Sequence, residues 1–571
     1  MHHELLLIVG GGLAVIITAA VLARRTGVAA PLLLLALGVG AAYLPNVPEI
    51  EVEPELILAG VLPPLLYASA VRMPILDFRR NAGLITWLSV GLVIVSALVV
   101  GFVVHAVFPD IPLALGIALG AVLSPTDAVA ATAIGKRLGL PPRLMTVLEG
   151  ESLVNDASAL VLLRASLAAV SVGSFSLFST TVSFLWAVVG AVLVGLLVGW
   201  ATAALRTKLD DPVLNTTISF AVPFLAFFPA EEIGSSGVLA VVVAGLVTGH
   251  LGMKNFSAHD RHSESTNWAT VNFVLESAVF LLMGLELPAL IDDASGAEGW
   301  SDLWTLVALL VGMLVVLRFV GVGVPLWVVS RRSEERRERT EQWVDAVGDR
   351  IEGWDPQTQT QEIRLGRIQK RLAKTSANVA FQRREPITKK GGVVIAWAGM
   401  RGVVTLAAAQ SIPADVEHRS FLVLAAFVVA VITLVGFGGT LPALIRRTGL
   451  SAKPSKARNA EVVALMSQLG DRTYEQLGPL ESAKVDGVPL EPEMVEMLNG
   501  RFLPLLQGAQ ADIKHRKPGV WGRAVIVQRR YLAAMQEALW EERSIGAFSS
   551  GTYAAAQAVL DREERRLNPL D

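Results

Sequence analysis

Long apolar runs separated by short charged loops are the feature that most limits how this chain can fold. A helix needs about 20 apolar residues to cross roughly 30 Å of hydrocarbon, and a scan at that length finds about thirteen runs. The predicted segments cover residues 5–24, 27–45, 55–71, 82–107, 113–134, 145–172, 177–204, 212–229, 235–251, 270–291, 301–330, 391–413 and 419–445. We therefore predict an all-α polytopic membrane protein that folds in a lipid bilayer.

The composition agrees with a membrane protein and excludes several classes of site. Hydrophobic residues make up 53% of the 571 residues and charged residues only 18%, which is more apolar surface than a soluble domain can bury. The chain contains no cysteine, so disulfides, thiolate metal sites and cysteine nucleophiles are excluded. A net charge of -2 gives no indication of a nucleic-acid partner.

Charged residues are concentrated in two stretches, which set the predicted domain boundaries. We expect a transmembrane domain at 1–330 that resumes with its last two helices at 391–447. A charged cytoplasmic insertion occupies 331–390, and its Arg/Glu-rich start predicts a helix that leaves the membrane. The remaining stretch, 448–571, is expected to be a mainly helical cytoplasmic domain whose role is packing and regulation, since it contains no nucleotide or metal motif.

The loops between the predicted segments alternate in charge. The basic loops contain Arg24 and Arg25; Arg72, Arg79 and Arg80; Lys136, Arg137 and Arg143; Arg206 and Lys208; Lys254 and Arg261; Arg331 and Arg332; and Arg446 and Arg447. The alternate loops contain Glu49, Glu51, Glu53 and Glu55; Glu231 and Glu232; and Asp292, Asp293 and Glu298, with Arg419 as an exception. Because positive residues accumulate on the cytoplasmic side, this pattern predicts an inner-membrane protein with its N-terminus outside and its C-terminus in the cytoplasm.

Charged residues deep inside apolar segments are candidates for function, because each costs about 2.5 to 3.5 kcal/mol at mid-membrane on insertion scales. These residues are Asp127, Glu151, Asp156, Arg164, Glu276, Glu286, Arg318 and Arg401. For Glu276 and Glu286 we consider proton access, with solvent exposure favoured for Glu286 because it precedes Pro288.

The sixth segment carries the polar run Glu151-Ser152-Leu153-Val154-Asn155-Asp156. Ser152 and Asp156, at i and i+4, share one helix face. Glu151 lies about 140° round the helix from Asp156 and is therefore expected to face a buried arginine, for which Arg318 and Arg401 are the candidates. The alternative for Asp156 is a satisfied hydrogen-bond acceptor in the core.

Two segments contain residues that interrupt a helix. Pro125 removes a backbone donor in the fifth segment and disfavours helix at Ser124, and the twelfth segment has a weak point at Gly399-Met400-Arg401-Gly402. Paired interruptions of this kind indicate a transporter's substrate site. Half-helix ends carry partial charges, so Asp127 is expected to neutralise a positive end and Arg401 a negative one.

Three motifs carry a family resemblance: Leu123-Ser124-Pro125-Thr126-Asp127-Ala128-Val129-Ala130, Gly150-Glu151-Ser152-Leu153-Val154-Asn155-Asp156-Ala157 and Gly399-Met400-Arg401-Gly402-Val403-Val404. Together they resemble the bacterial sodium/proton exchangers of the monovalent cation/proton antiporter-1 family, over roughly residues 5–445. The resemblance implies a homodimer of 13-helix protomers with inverted repeats and two discontinuous helices that cross near the ion site.

The resemblance also implies roles for individual residues. Asp156 carries the cation or the proton, Ser152 and Thr126 are further contacts of the transported monovalent cation, and Asn155 and Asp127 belong to the same binding group. It implies a structural ion pair between Glu151 and Arg401.

The implied activity is electroneutral exchange of one sodium ion for one proton, because relatives with an Asn before the Asp are electroneutral. No cofactor is implied, only transported sodium, lithium or potassium and protons. Many relatives carry an acid after a Leu-Pro-Pro-Leu-Leu-aromatic run, whereas here Ala68 follows Tyr67, which puts an ion contact from the third segment in doubt.

Other functions remain as alternatives. A potassium/proton antiporter would carry the same motifs, and a cation channel would need a ring or filter motif, which the sequence does not contain. The run Gly234-Ser235-Ser236-Gly237 with His250 suggests an intramembrane serine protease, but Ser236 and His250 would lie roughly 20 Å apart along one helix. A sensor that signals through the C-terminal domain is a further alternative.

Overall fold

The computed structural model of the chain describes residues 2–26, 30–44, 55–172, 177–209, 211–295, 299–352, 354, 357–413, 416–450, 455–485, 488–496, 498 and 521–567. The acidic loop residues Glu49, Glu51 and Glu53, which the charge pattern assigns to the outside, lie beyond these residues, as does Glu298.

The described chain is almost entirely helical. Its helices are α1 His2–Thr26, α2 Ala30–Ala42, α3 Leu62–Arg72, α4 Ile75–Thr86, α5 Leu92–Val107, α6 Leu113–Leu123, α7 Ala128–Leu138, α8 Pro142–Val172, α9 Leu177–Arg206, α10 Pro212–Glu232, α11 Gly237–Asn255, α12 Ala258–Ser295, α13 Trp300–Glu352, α14 Gln359–Arg384, α15 Lys389–Trp397, α16 Val403–Gln410, α17 Arg419–Thr448, α18 Ser455–Leu477, α19 Trp521–Ile545 and α20 Ser550–Leu567. Two π-helical turns, Leu56–Val61 and Trp87–Gly91, lead into α3 and α5. In the described part, β structure is limited to one short hairpin, β1 Lys484–Val485 paired antiparallel with β2 Val488–Pro489.

Eight helical stretches of the described chain are long and apolar enough to cross a membrane. They are Ile75–Val107, Pro142–Val170, Val182–Arg206, Pro212–Glu232, Gly237–Asn255, Ala258–Asp292, Trp300–Val328 and Arg419–Thr448. The predicted all-α polytopic fold is confirmed, whereas the total of thirteen spans and the inverted repeats stay predictions.

Two helices extend well beyond their predicted segments. α12 begins at Ala258 because Ser257 and Asp260 cap it reciprocally: the Ser257 hydroxyl accepts from the Asp260 N–H, and the Asp260 carboxylate accepts from the Ser257 N–H, both at 3.1 Å. α13 continues through the Arg/Glu-rich run to Glu352, since Arg and Glu favour helix. A search for apolar residues alone stops short in both cases.

The contacts divide the chain into two compact units. The first comprises Met1–Gly252, Ser263–Trp327 and Ile387–Ser451, and the second comprises Met253–His262, Val328–Pro386 and Ala452–Asp571. The cytoplasmic assignment of 331–390 and 448–571 stays a prediction.

Within the first unit, α8 packs against α4, α6 and α7. α6 is buried along almost its whole length, which explains why its sequence has no polar face. The helix that carries the sixth-segment motif therefore lies in the interior, beside the interrupted fifth segment.

Within the second unit, α18, α19 and α20 pack together. The predicted amphipathic stretch of α19 buries Tyr531, Leu532, Met535 and Leu539. The N-terminal end of α12 is held by the last helix, because Arg261 forms ion pairs with Asp561 and Glu564, and Glu564 also accepts from the Ala258 N–H at 3.2 Å.

Candidate functional site

Both predicted interruptions are present, and they meet. The fifth segment is split into α6 and α7, and the twelfth into α15 and α16. The Asp127 N–H donates to the Met400 carbonyl at 2.7 Å, which ties one broken segment to the other. Non-helical backbone at membrane depth requires such internal partners.

Gly402 makes the close crossing possible. A Cβ at this position would lie 2.4 Å from both Cβ and Oδ2 of Asp127, so a side chain cannot be accommodated without moving one of the broken segments. Asp127 in turn caps α7, because its Oδ1 accepts from the Val129 N–H at 2.7 Å. A carboxylate at this position stabilises the positive end of the half-helix, as the sequence led us to expect.

A cavity of about 290 Å³ opens beside this crossing. Its polar lining includes Ser69, Thr126, Asp127, Ser152, Asp156 and Glu276. Lys136 and Glu149 form an ion pair of 3.0 Å at its rim, where the Lys136 side chain is 69% exposed. Ser152 and Asp156 face the cavity together, as their i, i+4 spacing predicts.

Asp156 is a buried acceptor in the cavity wall for which the described residues provide no partner. It is only 6% exposed, and within the described residues its carboxylate has neither a hydrogen-bond donor nor an ion-pair partner. A satisfied core acceptor would have such a donor. The carboxylate is therefore free to bind a proton or a cation that enters the cavity.

Thr126 and Asn155 form a hydrogen-bonded chain behind the cavity wall. The Asn155 side-chain amide donates to the Thr126 hydroxyl at 2.9 Å, and that hydroxyl donates to Glu151 Oε1 at 3.1 Å. Thr126 lines the cavity, but Asn155 does not. Asn155 thus holds α8 against the break in the fifth segment, and the structure does not bring its side chain to the cavity with Asp156.

Ser152 connects α8 to the start of α7. Its hydroxyl accepts from the Ala128 N–H at 3.3 Å, while the residue also lines the cavity. One lone pair of this oxygen thus supports the helix end, and the side chain remains beside Asp156.

The ion pair implied by the family resemblance is corrected by the structure. Glu151, only 1% exposed, is bound by both terminal nitrogens of Arg318, one of them at 2.8 Å from Oε2. Arg401 instead donates to the Gly399 carbonyl at 3.3 Å, near the C-terminal end of α15. Helix geometry alone allows either arginine as the partner of Glu151. The long-range packing of α13 places Arg318 there.

The third segment contributes a hydroxyl and no acid. Ala68 is fully buried, and its neighbour Ser69 lines the cavity. The additional carboxylate comes from α12, where Glu276 and Asn272 line the same cavity. The sequence signal for this arrangement is their i, i+4 spacing, which places both side chains on one helix face.

Three polar groups outside the cavity have structural partners. One terminal nitrogen of Arg164 contacts both carboxylate oxygens of Glu231, at 2.8 and 2.6 Å, and Arg164 is not among the residues that line the cavity. Gln410 donates to Glu286, which places Glu286 in a helix–helix contact rather than at an exposed span end. Ser236 caps the start of α11 through the Leu239 N–H at 3.3 Å, consistent with a helix start and not with a nucleophile.

Broken helices that cross beside a carboxylate-lined cavity in a multi-pass membrane fold are features of secondary transporters. The chain belongs to the sodium/hydrogen exchanger family, since the family model for the transmembrane part of sodium/hydrogen exchangers matches residues 12–447. It is therefore a multi-pass cation/proton antiporter, a transporter and not an enzyme.

Individual relatives agree with this assignment. An uncharacterized Na(+)/H(+) exchanger of Mycobacterium tuberculosis is 28% identical over 96% of this chain and 94% of the relative. A Bacillus subtilis protein named as a sodium, potassium, lithium and rubidium/H(+) antiporter is 33% identical over 52% of this chain and 45% of the relative. The sodium proton antiporter MjNhaP1 from Methanocaldococcus jannaschii shares the fold, with a TM-score of 0.57 and 17% identity over 79% of this chain and 100% of that chain.

Proposed function

We propose that this protein exchanges one sodium ion for one proton across the membrane, and that both bind in turn to Asp156. The observation that carries the proposal is the Asp156 carboxylate, buried at the wall of an accessible cavity without a partner among the described residues. Thr126 and Ser152, which line the same cavity, are the proposed further oxygen contacts of the cation. Oxygen ligands of this type suit hard cations.

The proposed mechanism follows from the cost of a bare buried charge. Moving an unpaired carboxylate through a low-dielectric barrier is unfavourable, whereas a carboxylate that holds a proton or a cation is neutral. If Asp156 can become exposed to the opposite side of the membrane only while it holds a proton or a cation, every cation carried one way must be matched by a proton carried back. Asn155 is neutral, so Asp156 is the charge that each ion neutralises, and one cation replaces one proton.

The decisive experiment measures proton flux in vesicles that contain the purified protein. Imposed gradients of sodium, lithium and potassium should each be compared for wild type, Asp156→Asn and the matched control Asp110→Asn, whose side chain is exposed. We expect exchange in wild type and Asp110→Asn and none in Asp156→Asn. Full exchange by Asp156→Asn would refute the proposed role of this carboxylate.

The same vesicles test the stoichiometry and the alternatives. One-for-one exchange requires that a potential imposed across the vesicle membrane leave the rate unchanged. Preference for potassium would support the alternative of a potassium/proton antiporter, for which the broad cation range in the name of the Bacillus relative is a precedent. A voltage-dependent current without a proton gradient would instead support a cation channel.

For the topology, we propose an inner-membrane homodimer with its N-terminus outside and its C-terminus in the cytoplasm. The absence of cysteine allows single reporter cysteines to be introduced. An impermeant maleimide added to intact cells should label Asp110→Cys and not Lys208→Cys, and the reverse pattern would invert the topology. Cross-linking in the membrane at the mass of two chains tests the homodimer.

For the C-terminal domain, we propose a regulatory role that acts through the start of α12. Arg261, in one of the basic loops, pairs with Asp561 and Glu564 of α20, and α12 continues to the cavity residue Glu276. If this attachment restrains α12, replacing Asp561 and Glu564 together with alanine should raise the exchange rate. Arg562→Ala, an exposed neighbour on the same helix, is the control, and an unchanged rate in the double variant would count against regulation by this contact.

A further inference from the structure

The cavity contains a second acidic group whose charge is not balanced. Glu276 lies half-buried on α12 and lines the same cavity as Asp156. Within the described residues it has one hydrogen-bond donor, the Asn272 side-chain amide at 3.4 Å, and no cationic partner. Most of the acceptor capacity of this carboxylate is therefore available to an ion in the cavity.

Charged groups at the rim of the cavity already have hydrogen-bond or ion-pair partners. Glu149 is paired with Lys136 at 3.0 Å. Arg72 donates to the carbonyls of Ala68 and Trp268, at 3.0 and 3.3 Å. Neither rim cation is thus assigned to Glu276, and its negative charge lies in the same cavity as that of Asp127.

The position of Glu276 on a separate helix distinguishes it from the groups at the crossing. Asp127 and Asp156 belong to the broken segment and to α8, whereas Asn272 and Glu276 present an amide and a carboxylate from α12. The third helix supplies no carboxylate to the cavity: its polar lining groups are the Ser69 hydroxyl and the Arg72 guanidinium, and Ala68 is buried away from the cavity. The acid that the third helix lacks is matched by one from α12.

We propose that Glu276 is a second cation-binding carboxylate, which captures the incoming monovalent cation at the half-buried level of the cavity before it reaches Asp156. This inference rests on the proposed function and deepens it, because it assigns cation affinity and cation carriage to different residues. Repulsion among several carboxylates in one cavity favours the entry of a cation that they can share. Asp156 alone is then required for exchange, and Glu276 determines the concentration at which the cation saturates it.

The test is the steady-state kinetics of exchange in vesicles for Glu276→Gln and Glu276→Asp. We expect Glu276→Gln to raise the KM for the cation about tenfold, equivalent to about 1.4 kcal/mol, with little change in the maximal rate. Glu276→Asp keeps the carboxylate and should restore most of the affinity. If Glu276→Gln does not fold, Glu276→Ala removes the same carboxylate, and the same rise in KM is expected; a wild-type KM in that variant would refute the proposal.

Glu149→Gln is the matched comparison, since it removes a carboxylate from the same cavity whose charge Lys136 already balances. Its KM should change much less than that of Glu276→Gln. Equal shifts in the two variants would overturn a binding role for Glu276 and indicate a general effect of charge at the rim. Loss of the maximal rate in folded Glu276→Gln would also overturn the proposal, because it would make Glu276 a carrier.

Failure of this inference is separable from failure of the proposed function. If wild type exchanges ions, Asp156→Asn does not, and Glu276→Gln has the wild-type KM, only the role of Glu276 is refuted. If wild type exchanges no cation for protons, the proposed function itself fails.

Discussion

Glu151 and its two neighbouring arginines allow a quantitative test of the buried ion pair. Glu151 is 1% exposed and Arg318 is 6% exposed, so neither charge can be compensated by water if its partner is removed. Breaking a buried pair by removing one partner costs about 3 to 5 kcal/mol. We therefore expect Arg318→Met to lower the free energy of unfolding by that amount.

Glu151→Gln should cost more than Arg318→Met. Its removal leaves Arg318 and Arg401 as two buried like charges beside Gly399, whereas the removal of Arg318 leaves Arg401 as a buried cation near Glu151. The order of the two single variants is thus set by the arrangement of three charges. The difference between the two variants would disappear if Arg401 lay outside the electrostatic range of Glu151.

Two double-mutant cycles separate the arginines. The cycle of Glu151→Gln with Arg318→Met should give a coupling energy of about 2 to 3 kcal/mol, near the upper end for residues in contact, because two hydrogen bonds join the pair. The cycle with Arg401→Met should give less than about 1 kcal/mol, because Arg401 bonds to the Gly399 carbonyl instead. Unfolding by SDS in mixed micelles, followed by tryptophan fluorescence, provides the free energies. A larger coupling with Arg401 would refute the pairing and restore the one implied by the family motifs.

Three further changes have clear expectations. Gly402→Ala should abolish vesicle exchange while the protein still inserts and remains monodisperse, because the added Cβ would lie 2.4 Å from the Asp127 carboxylate; normal exchange would show that the crossing can relax. Arg164→Ala should leave exchange unchanged and cost less than about 1 kcal/mol in an unfolding titration, since its pair with Glu231 is partly exposed; a changed cation KM would contradict this. The Tyr531 hydroxyl donates to the Gly478 carbonyl at 2.7 Å, and burial raises the pKa of this phenol. The stabilisation that this hydrogen bond provides is therefore complete below the ordinary phenol pKa of about 10 and is lost as the pH rises through the raised pKa. Tyr531→Phe should cost about 1 kcal/mol at pH 8 and flatten the loss of C-terminal helicity above pH 10 in circular dichroism; equal pH dependence in both proteins would refute this.

Features that depend on local chemistry could be predicted from the sequence. Pro125 and the glycines of the twelfth segment act on their own backbone, so both helix interruptions were predictable without knowledge of packing. The shared face of Ser152 and Asp156 follows from helix periodicity alone. The capping pair Ser257 and Asp260 was equally local, and α12 was predicted too short because apolar residues were the only criterion.

Features that depend on packing between distant segments could not be predicted in the same way. Helix periodicity directs Glu151 away from Asp156, but it does not say which of Arg318 and Arg401 lies there. The two arginines are 83 positions apart, Arg318 in α13 and Arg401 in the break between α15 and α16. Whether Glu276 lines the cavity likewise depends on how α12 is oriented about its own axis. A motif preserves the residues at its own positions and carries no information on the angle at which another helix presents its side chains.

The two glycines of the twelfth segment show how these two kinds of information are joined. A Cβ at Gly402 would lie 2.4 Å from Asp127, and a Cβ at Gly399 would lie 2.9 Å from Nε of Arg318. Each glycine thus leaves space for a charged side chain of another helix, in addition to weakening its own. The space at Gly402 allows Asp127 to lie at the crossing, and the space at Gly399 allows Arg318 to reach Glu151. Glu151 in turn accepts a hydrogen bond from Thr126. The absence of a side chain at two positions three residues apart therefore both weakens the twelfth segment and leaves room for two of the charges around Asp156.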